Sequence, residues 1–122
     1  MTQAIEAVVL FGHGSRDPRW AQTMFAVAQR LEALAPGLPV RCAYLEFMRP
    51  DLPEVLRALY GSGLRRIRVS PVFLAAGGHV LRDLPELVAS VRAECPGLEV
   101  EIQPVLGAAP GVIEALAQAA SS

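Results

Sequence analysis

The sequence predicts an α/β fold, a single-domain three-layer sandwich in which a four-stranded parallel sheet carries helices on both faces. Three observations predict it. Four apolar segments of strand length alternate with four stretches of helical periodicity, the pattern of a parallel sheet with crossover helices. Pro36-Gly37, Gly61-Ser62-Gly63 and Pro96-Gly97 punctuate the helical stretches as stop signals. The 122 residues, 52% of them hydrophobic, suffice for one core, so one domain over residues 1–122 is expected.

Residues 7–11 read as a buried strand. Trp20, Met24, Val27, Leu31 and Leu34 follow in steps of four and three, one face of a helix that ends at Pro36-Gly37. Val40 to Phe47 reads as the second strand. Asp51-Leu52-Pro53-Glu54 fits a capped helix start, with Asp51 as N-cap and Glu54 three residues on. Leu52, Val55, Leu56 and Leu59 form its inner face. Arg66 to Val72 is the third strand. Asp83-Leu84-Pro85-Glu86 repeats the Asp-Leu-Pro-Glu pattern and predicts a helix start there, with Leu84, Leu87, Val88 and Val91 facing inward. Leu98 to Val105 is the fourth strand. Gly107 to Gly111 reads as a loop, and Val112, Ile113 and Leu116 mark a last helix.

Composition excludes several classes of function. The net charge of −1 disfavours nucleic acid as a partner. No apolar run reaches the length of a membrane span. The start of the chain lacks a signal-like core, and Cys42 and Cys95 lack metal or redox spacing, so free thiols and a cytoplasmic location are expected. All eleven basic residues are arginine, whose guanidinium fork suits carboxylates and phosphates.

The candidate site rests on two histidines, the only two in the chain. His13 lies in Phe11-Gly12-His13-Gly14-Ser15-Arg16, after the first strand. His79 lies in Ala75-Ala76-Gly77-Gly78-His79, after the third. With the flavodoxin-like order 2-1-3-4, strands one and three are neighbours whose connections leave in opposite directions. Open α/β sheets bind ligands at that switch point, beyond the carboxyl ends of the strands. Both histidines then converge on one crevice, with Glu46 one strand away. Two imidazoles and a carboxylate suit a borderline divalent metal such as cobalt, iron, nickel or zinc. A closed structural zinc site would need four ligands, usually including cysteine. Ser15, Arg16 and Asp17 serve equally well as caps of the first helix, and Asp83 is most simply an N-cap.

These blocks, together with Tyr44-Leu45-Glu46-Phe47, Pro71-Val72-Phe73-Leu74, Asp83 and Pro85, resemble the short-form CbiX family of sirohydrochlorin chelatases over almost the whole chain. The resemblance implies a chelatase-like fold and insertion of a divalent metal into sirohydrochlorin. Cobalt is the expected metal, for the anaerobic cobalamin pathway, with iron or nickel as alternatives and no organic cofactor. It implies His13, His79 and Glu46 as metal-site and catalytic residues. On that reading Phe73, Leu74 and Ala76 offer apolar contact to the macrocycle, and Gly77 and Gly78 allow its close approach. Arg16 and Arg82, with Ser15, are candidates for the substrate carboxylates. One such domain is small for a tetrapyrrole, so a homodimer with both sets of strand ends facing a shared cavity is expected. Two other readings compete. A non-enzymatic metal or tetrapyrrole carrier would need the same groups. A histidine phosphatase would need Arg before His-Gly, where this chain has Gly12.

Overall fold

The computed structural model describes residues 4–75 and 77–122, the side chains at 79–81 excepted. In chain order the elements are β1 (Ala7–Gly12), a 3₁₀ turn (Pro18–Trp20), α1 (Ala21–Leu34), β2 (Val40–Tyr44), α2 (Leu52–Gly61) and β3 (Arg66–Pro71). There follow α3 (Gly78–Glu94), β4 (Glu99–Ile102), a second 3₁₀ turn (Leu106–Ala108) and α4 (Pro110–Ser121). The sheet order is β2-β1-β3-β4, and every pairing is parallel. The parallel pairing is that expected from the alternation of strands and helices, and the order is the flavodoxin-like one on which the placement of the site rests.

Alternation along β1 sorts the core. Ala7, Val9 and Phe11 face α2 and α3, where they join Ile67, Val69, Leu52, Leu56 and Leu84. Val8 and Leu10 face α1 and meet Met24 and Ala28. The inner face of α2 is as predicted, with Leu52, Val55, Leu56 and Leu59 all buried. Each such side chain contributes roughly 1.5–3 kcal/mol of transfer free energy. The start of α2 is also as predicted. Asp51 accepts from the Glu54 N–H at 2.9 Å, and Glu54 reaches back to the Asp51 N–H.

Four expectations are corrected. β2 ends at Tyr44 and not at Phe47, because the chain then turns. Phe47 takes φ 66°, a left-handed backbone that no strand continues through. β4 covers only Glu99–Ile102, short of both predicted ends.

The third correction concerns α3. It begins at Gly78, with Gly77 as an extended N-cap, so Asp83 is an exposed residue inside the helix and Pro85 lies in its interior. The Asp-Leu-Pro-Glu pattern that caps α2 therefore caps nothing here. The glycine pair supplies the start instead, with Gly78 at φ 68°, a conformation that costs glycine little. The inward face of α3 is as predicted, with Leu84, Val88 and Val91 buried.

The fourth correction concerns α1. Its buried residues are Ala21, Met24 and Ala28. Small alanines let the helix lie close to the sheet. Of the predicted stripe, Met24 is buried and Leu31 packs half-buried against the core, while Trp20, Val27 and Leu34 are turned aside and exposed.

One polar tie holds the start of the sheet. Glu6 Oε1 accepts from the Arg65 and Arg66 N–H groups at 2.9 Å each, joining the entries to β1 and β3. The Arg65 N–H, then the Arg66 N–H, holds the Glu6 carboxyl below its ordinary value, against a smaller opposing effect of desolvation. A lowered folded value means stability that is present above the unfolded carboxylate range, about 4.3, and is lost as pH falls through the folded value. Glu6→Gln should therefore lower the thermal midpoint at pH 7. The gap from the unmodified protein should close on acidification below about pH 4. Thermal scans of both proteins between pH 7 and pH 3 check this, and a gap that stays constant would show that the two bonds do not couple to folding.

Candidate metal centre

The carboxyl ends of β1 and β2 bring together two of the three predicted metal-site residues. The ladder between them continues past the regular strands, as the Leu45 N–H donates to the Gly12 carbonyl at 2.9 Å and the Glu46 N–H to the His13 carbonyl at 3.0 Å. This places His13 and Glu46 side by side. His13 Nε2 lies 2.9 Å from Glu46 Oε1, and both side chains are about half exposed, 48% and 49%.

Gly14 makes this approach possible. Its φ is 94°, and a Cβ at that position would lie 1.9 Å from the Glu46 carbonyl oxygen. Only glycine fits both the conformation and the space. A second link fastens the same two loops, since the Arg16 guanidinium stacks over the Phe47 ring at 4.9 Å. That contact is of the cation–π type. Spacing along the chain carries no signal for it, because the left-handed backbone at Phe47 is what turns the ring toward Arg16. The glycine after His13 was the one visible signal for the close approach at Gly14.

The contact links the proton position of the ring to the charge of the carboxylate. An ionised carboxylate only accepts hydrogen bonds. With Glu46 ionised and the imidazole neutral, the proton of the ring lies on Nε2, and Nδ1 keeps its lone pair. Among the described residues no group hydrogen-bonds that second nitrogen. A neutral imidazole oriented through one nitrogen and open at the other is the usual disposition of a metal-binding histidine, and it also serves to accept a proton.

His79 lies in the first turn of α3, and not in the loop where the sequence put it. Its side chain is outside the described residues, as is Ala76. β1 and β3 are adjacent, with Phe11 in register with Pro71, so the backbone at His79 follows the strand next to the one that leads to His13. Among the described residues no three His, Cys, Asp or Glu side chains gather at one point.

The other predicted contacts divide. Ser15 Oγ accepts from the Asp17 N–H at 3.0 Å, while Asp17 caps the 3₁₀ turn and chelates the Arg19 side chain. Ser15 thus shapes the turn. Phe73 is half-buried against the core, edge-on to Phe11 at 6.1 Å between centroids. Leu74 is 72% exposed, and Gly77, Gly78 and Arg82 are exposed beside it in sequence. Trp20, expected in the core, lies edge-on to Tyr44 at the surface.

An open parallel sheet with an imidazole–carboxylate pair at the carboxyl ends of β1 and β2, one strand from the β1–β3 switch point, has the architecture of α/β proteins that bind ligands beyond the strand ends. Comparison with known proteins narrows the class. The family model described as CbiX matches residues 7–122, and the chain belongs to that family.

A sirohydrochlorin cobaltochelatase of Methanococcus maripaludis is 33% identical over 93 residues, 76% of this chain and 65% of that protein. One of Methanosarcina barkeri is 29% identical over 101 residues, 83% of this chain and 77% of that one. The chain spans a little under two thirds of the length of the Methanococcus relatives. Among solved structures, a putative cobalamin biosynthesis CbiX protein from Marinobacter aquaeolei superposes with a TM-score of 0.82 at 28% identity, covering 94% of this chain and 91% of that one. The chelatase SirB from Bacillus subtilis subspecies spizizenii, in complex with cobalt, shares the fold at a TM-score of 0.82 and 23% identity, over 97% of this chain and 50% of that one.

Proposed function

We propose that this chain, as one CbiX-type domain over residues 1–122, is a sirohydrochlorin cobaltochelatase that inserts divalent cobalt into the tetrapyrrole for cobalamin biosynthesis. The observation that carries this reading is the His13–Glu46 pair at 2.9 Å, open to solvent at the strand ends of a chain in the CbiX family. The names of the methanogen relatives supply the substrate and the metal. Iron and nickel remain the alternatives, since ligand type alone does not select among these metals.

The reaction exchanges two pyrrole N–H protons for one divalent ion. The site must hold the metal weakly, present it to the ring nitrogens, and carry two protons away. His13 fits the first and last tasks. Its free Nδ1 offers a lone pair to a metal or a proton, and Glu46 on Nε2 stabilises the ring when it becomes charged. His79, from the adjacent strand's connection, is proposed as the second ligand on the strength of the family resemblance. Leu74, exposed at the rim, offers apolar surface to the macrocycle, and Arg16 and Arg82 are proposed for its carboxylates. Half-exposed ligands of mixed type suit metal transfer better than a closed site does.

The tetrapyrrole is broad and flat, and ligand sites usually enclose most of their ligand. A homodimer that closes over it is part of this proposal, as is a cytoplasmic setting, which suits the free Cys42 and Cys95. Among the described residues no helix is long and apolar enough to cross a membrane.

An anaerobic assay of the purified protein with sirohydrochlorin and each of cobalt, iron and nickel, followed by the pigment's absorbance, tests the proposal. Turnover fastest with cobalt is expected. Stoichiometric binding without turnover would identify a carrier instead.

A further inference from the structure

The loop that carries His13 begins and ends at one place. It leaves β1 at Gly12, runs over residues 13–19, and comes back to the sheet at Trp20, the last residue of the first 3₁₀ turn. Local bonds fix that return. The Trp20 N–H donates to the Asp17 carbonyl at 3.0 Å, and the Asp17 carboxylate accepts from the Arg19 N–H at 2.9 Å. Pro18 restricts the backbone at the first position of the turn.

The indole then folds over the strand end. On the α1 side of Gly12 a Cβ would lie 2.8 Å from Cη2 of the indole and 2.8 Å from Met24 Sδ. Ring and thioether fill the space that a side chain would take, so the indole rests on bare backbone. The same ring lies edge-on to Tyr44, with 6.1 Å between centroids and 64° between planes. Gly12 and Tyr44 are in register, the last pair of the β1–β2 ladder. His13 follows Gly12 directly, and Glu46 lies two residues past Tyr44. One side chain therefore packs on both strand ends that carry the imidazole–carboxylate pair.

The core does not account for this ring. Trp20 is 37% exposed and belongs to neither core cluster. A large aromatic placed over a strand end, outside the core, points to a task at that end.

We propose that Trp20 is a positioning residue of the metal centre: its indole, closed over Gly12 and Tyr44, holds the His13 loop in register with Glu46. Without the ring the loop keeps its close approach at Gly14 and its stack at Arg16, but its return to β1 is released. His13 then spends time away from Glu46. A mobile ligand binds metal more weakly, because it must be ordered at the moment of binding. Groups that orient a metal-binding histidine typically account for about 10–100-fold in metal affinity. This inference rests on the proposed role of His13 and deepens it.

Cobalt affinity of the full chain, measured by equilibrium dialysis without tetrapyrrole, tests it. Trp20→Ala is expected to bind cobalt about 10-fold more weakly than the unmodified protein. Trp20→Phe, whose shorter ring covers less of Gly12, should fall between the two. In a His13→Ala background, Trp20→Ala should change the affinity by less than about twofold, since the indole acts through His13. Tyr60→Ala is the control for lost packing. The Tyr60 ring lies under Arg65 and its hydroxyl donates to the Pro96 carbonyl, at the amino ends of β3 and β4. Its loss should lower the thermal midpoint and leave cobalt affinity unchanged.

Trp20→Ala at the unmodified affinity overturns the proposal. So does a loss that keeps its full size without His13, or an equal loss in Tyr60→Ala, since either would make the ring a source of general stability. Should Trp20→Ala lose its circular dichroism, the Trp20→Phe loss, present with His13 and absent without it, decides in its place. Cobalt affinity indifferent to His13→Ala overturns this proposal together with the metal-site reading of His13. Turnover with sirohydrochlorin is measured separately. A protein that binds cobalt through His13 and Trp20 yet inserts none overturns the chelatase reading and supports the role of Trp20.

Discussion

His13→Ala is expected to lower metal insertion by at least about 100-fold, the scale of a lost acid–base group, while the thermal midpoint stays close to that of the unmodified protein. The ring is half exposed and outside both core clusters, so its removal leaves no cavity. Two functions vanish with it, the Nδ1 lone pair and the proton path to Glu46. Glu46→Gln separates them. An amide still hydrogen-bonds Nε2 but cannot stabilise a charged imidazole as a carboxylate does. Insertion by Glu46→Gln should fall less than by His13→Ala, and metal binding measured without the tetrapyrrole should fall less still. Turnover by His13→Ala at the unmodified rate under saturating cobalt would remove this residue from the mechanism. His79→Ala measured alongside shows whether the second histidine has equal weight.

The second large effect belongs to Gly14. Gly14→Ala must place a Cβ against the Glu46 carbonyl oxygen and hold φ near 94°. Backbone has nowhere to give, because the Glu46 N–H is bonded to the His13 carbonyl. A cost of about 3 kcal/mol or more is expected, strain and clash together. That is a large part of an ordinary domain's stability of about 5–15 kcal/mol. Gly37 is the control. It has φ 86° but open space around a Cβ, so Gly37→Ala should cost only about 1 kcal/mol. Urea denaturation of both variants reads the difference. Equal losses would mean that strain alone acts and that the close approach contributes nothing. Whatever Gly14→Ala retains of its fold, its insertion rate should fall too, since relieving the clash separates Glu46 from His13.

Much of the fold is legible in the residues themselves. Alternation of apolar strands with capped, glycine-stopped helices leads to the parallel sheet, and the flavodoxin-like order, adopted by analogy and supported by the family resemblance, leads to the neighbouring ends of β1, β2 and β3. The Asp51 capping box reads directly because it is local chemistry. The same four letters at Asp83 mislead, since a capping pattern cannot show that a glycine pair five residues earlier has already started the helix. The face of α1 misleads for another reason. Periodicity finds the apolar stripe, but it cannot tell which covering that stripe waits for. Here the sheet takes Ala21, Met24 and Ala28, while Trp20, Val27 and Leu34 stay exposed. In the site, His13 and Glu46 follow from strand ends and residue type. The Arg16–Phe47 stack does not, because it depends on one residue's left-handed backbone.

The central position of β1 bears on how the chain is made. It is the first of the four strands in chain order, so it leaves the ribosome before the others, and it pairs with both β2 and β3. Its partner Pro71 is synthesised roughly 3–12 s after Gly12 at typical rates of about 5–20 residues per second. Through that interval the edge of β1 that β3 will occupy, and the apolar side chains of Val9 and Phe11, have only the first half of the chain for cover. No hairpin closes early, because all the pairings are parallel and distant in sequence. The nascent chain is thus most prone to self-association while β3 is still inside the tunnel, and a chaperone that shields an apolar strand would act on it in that window.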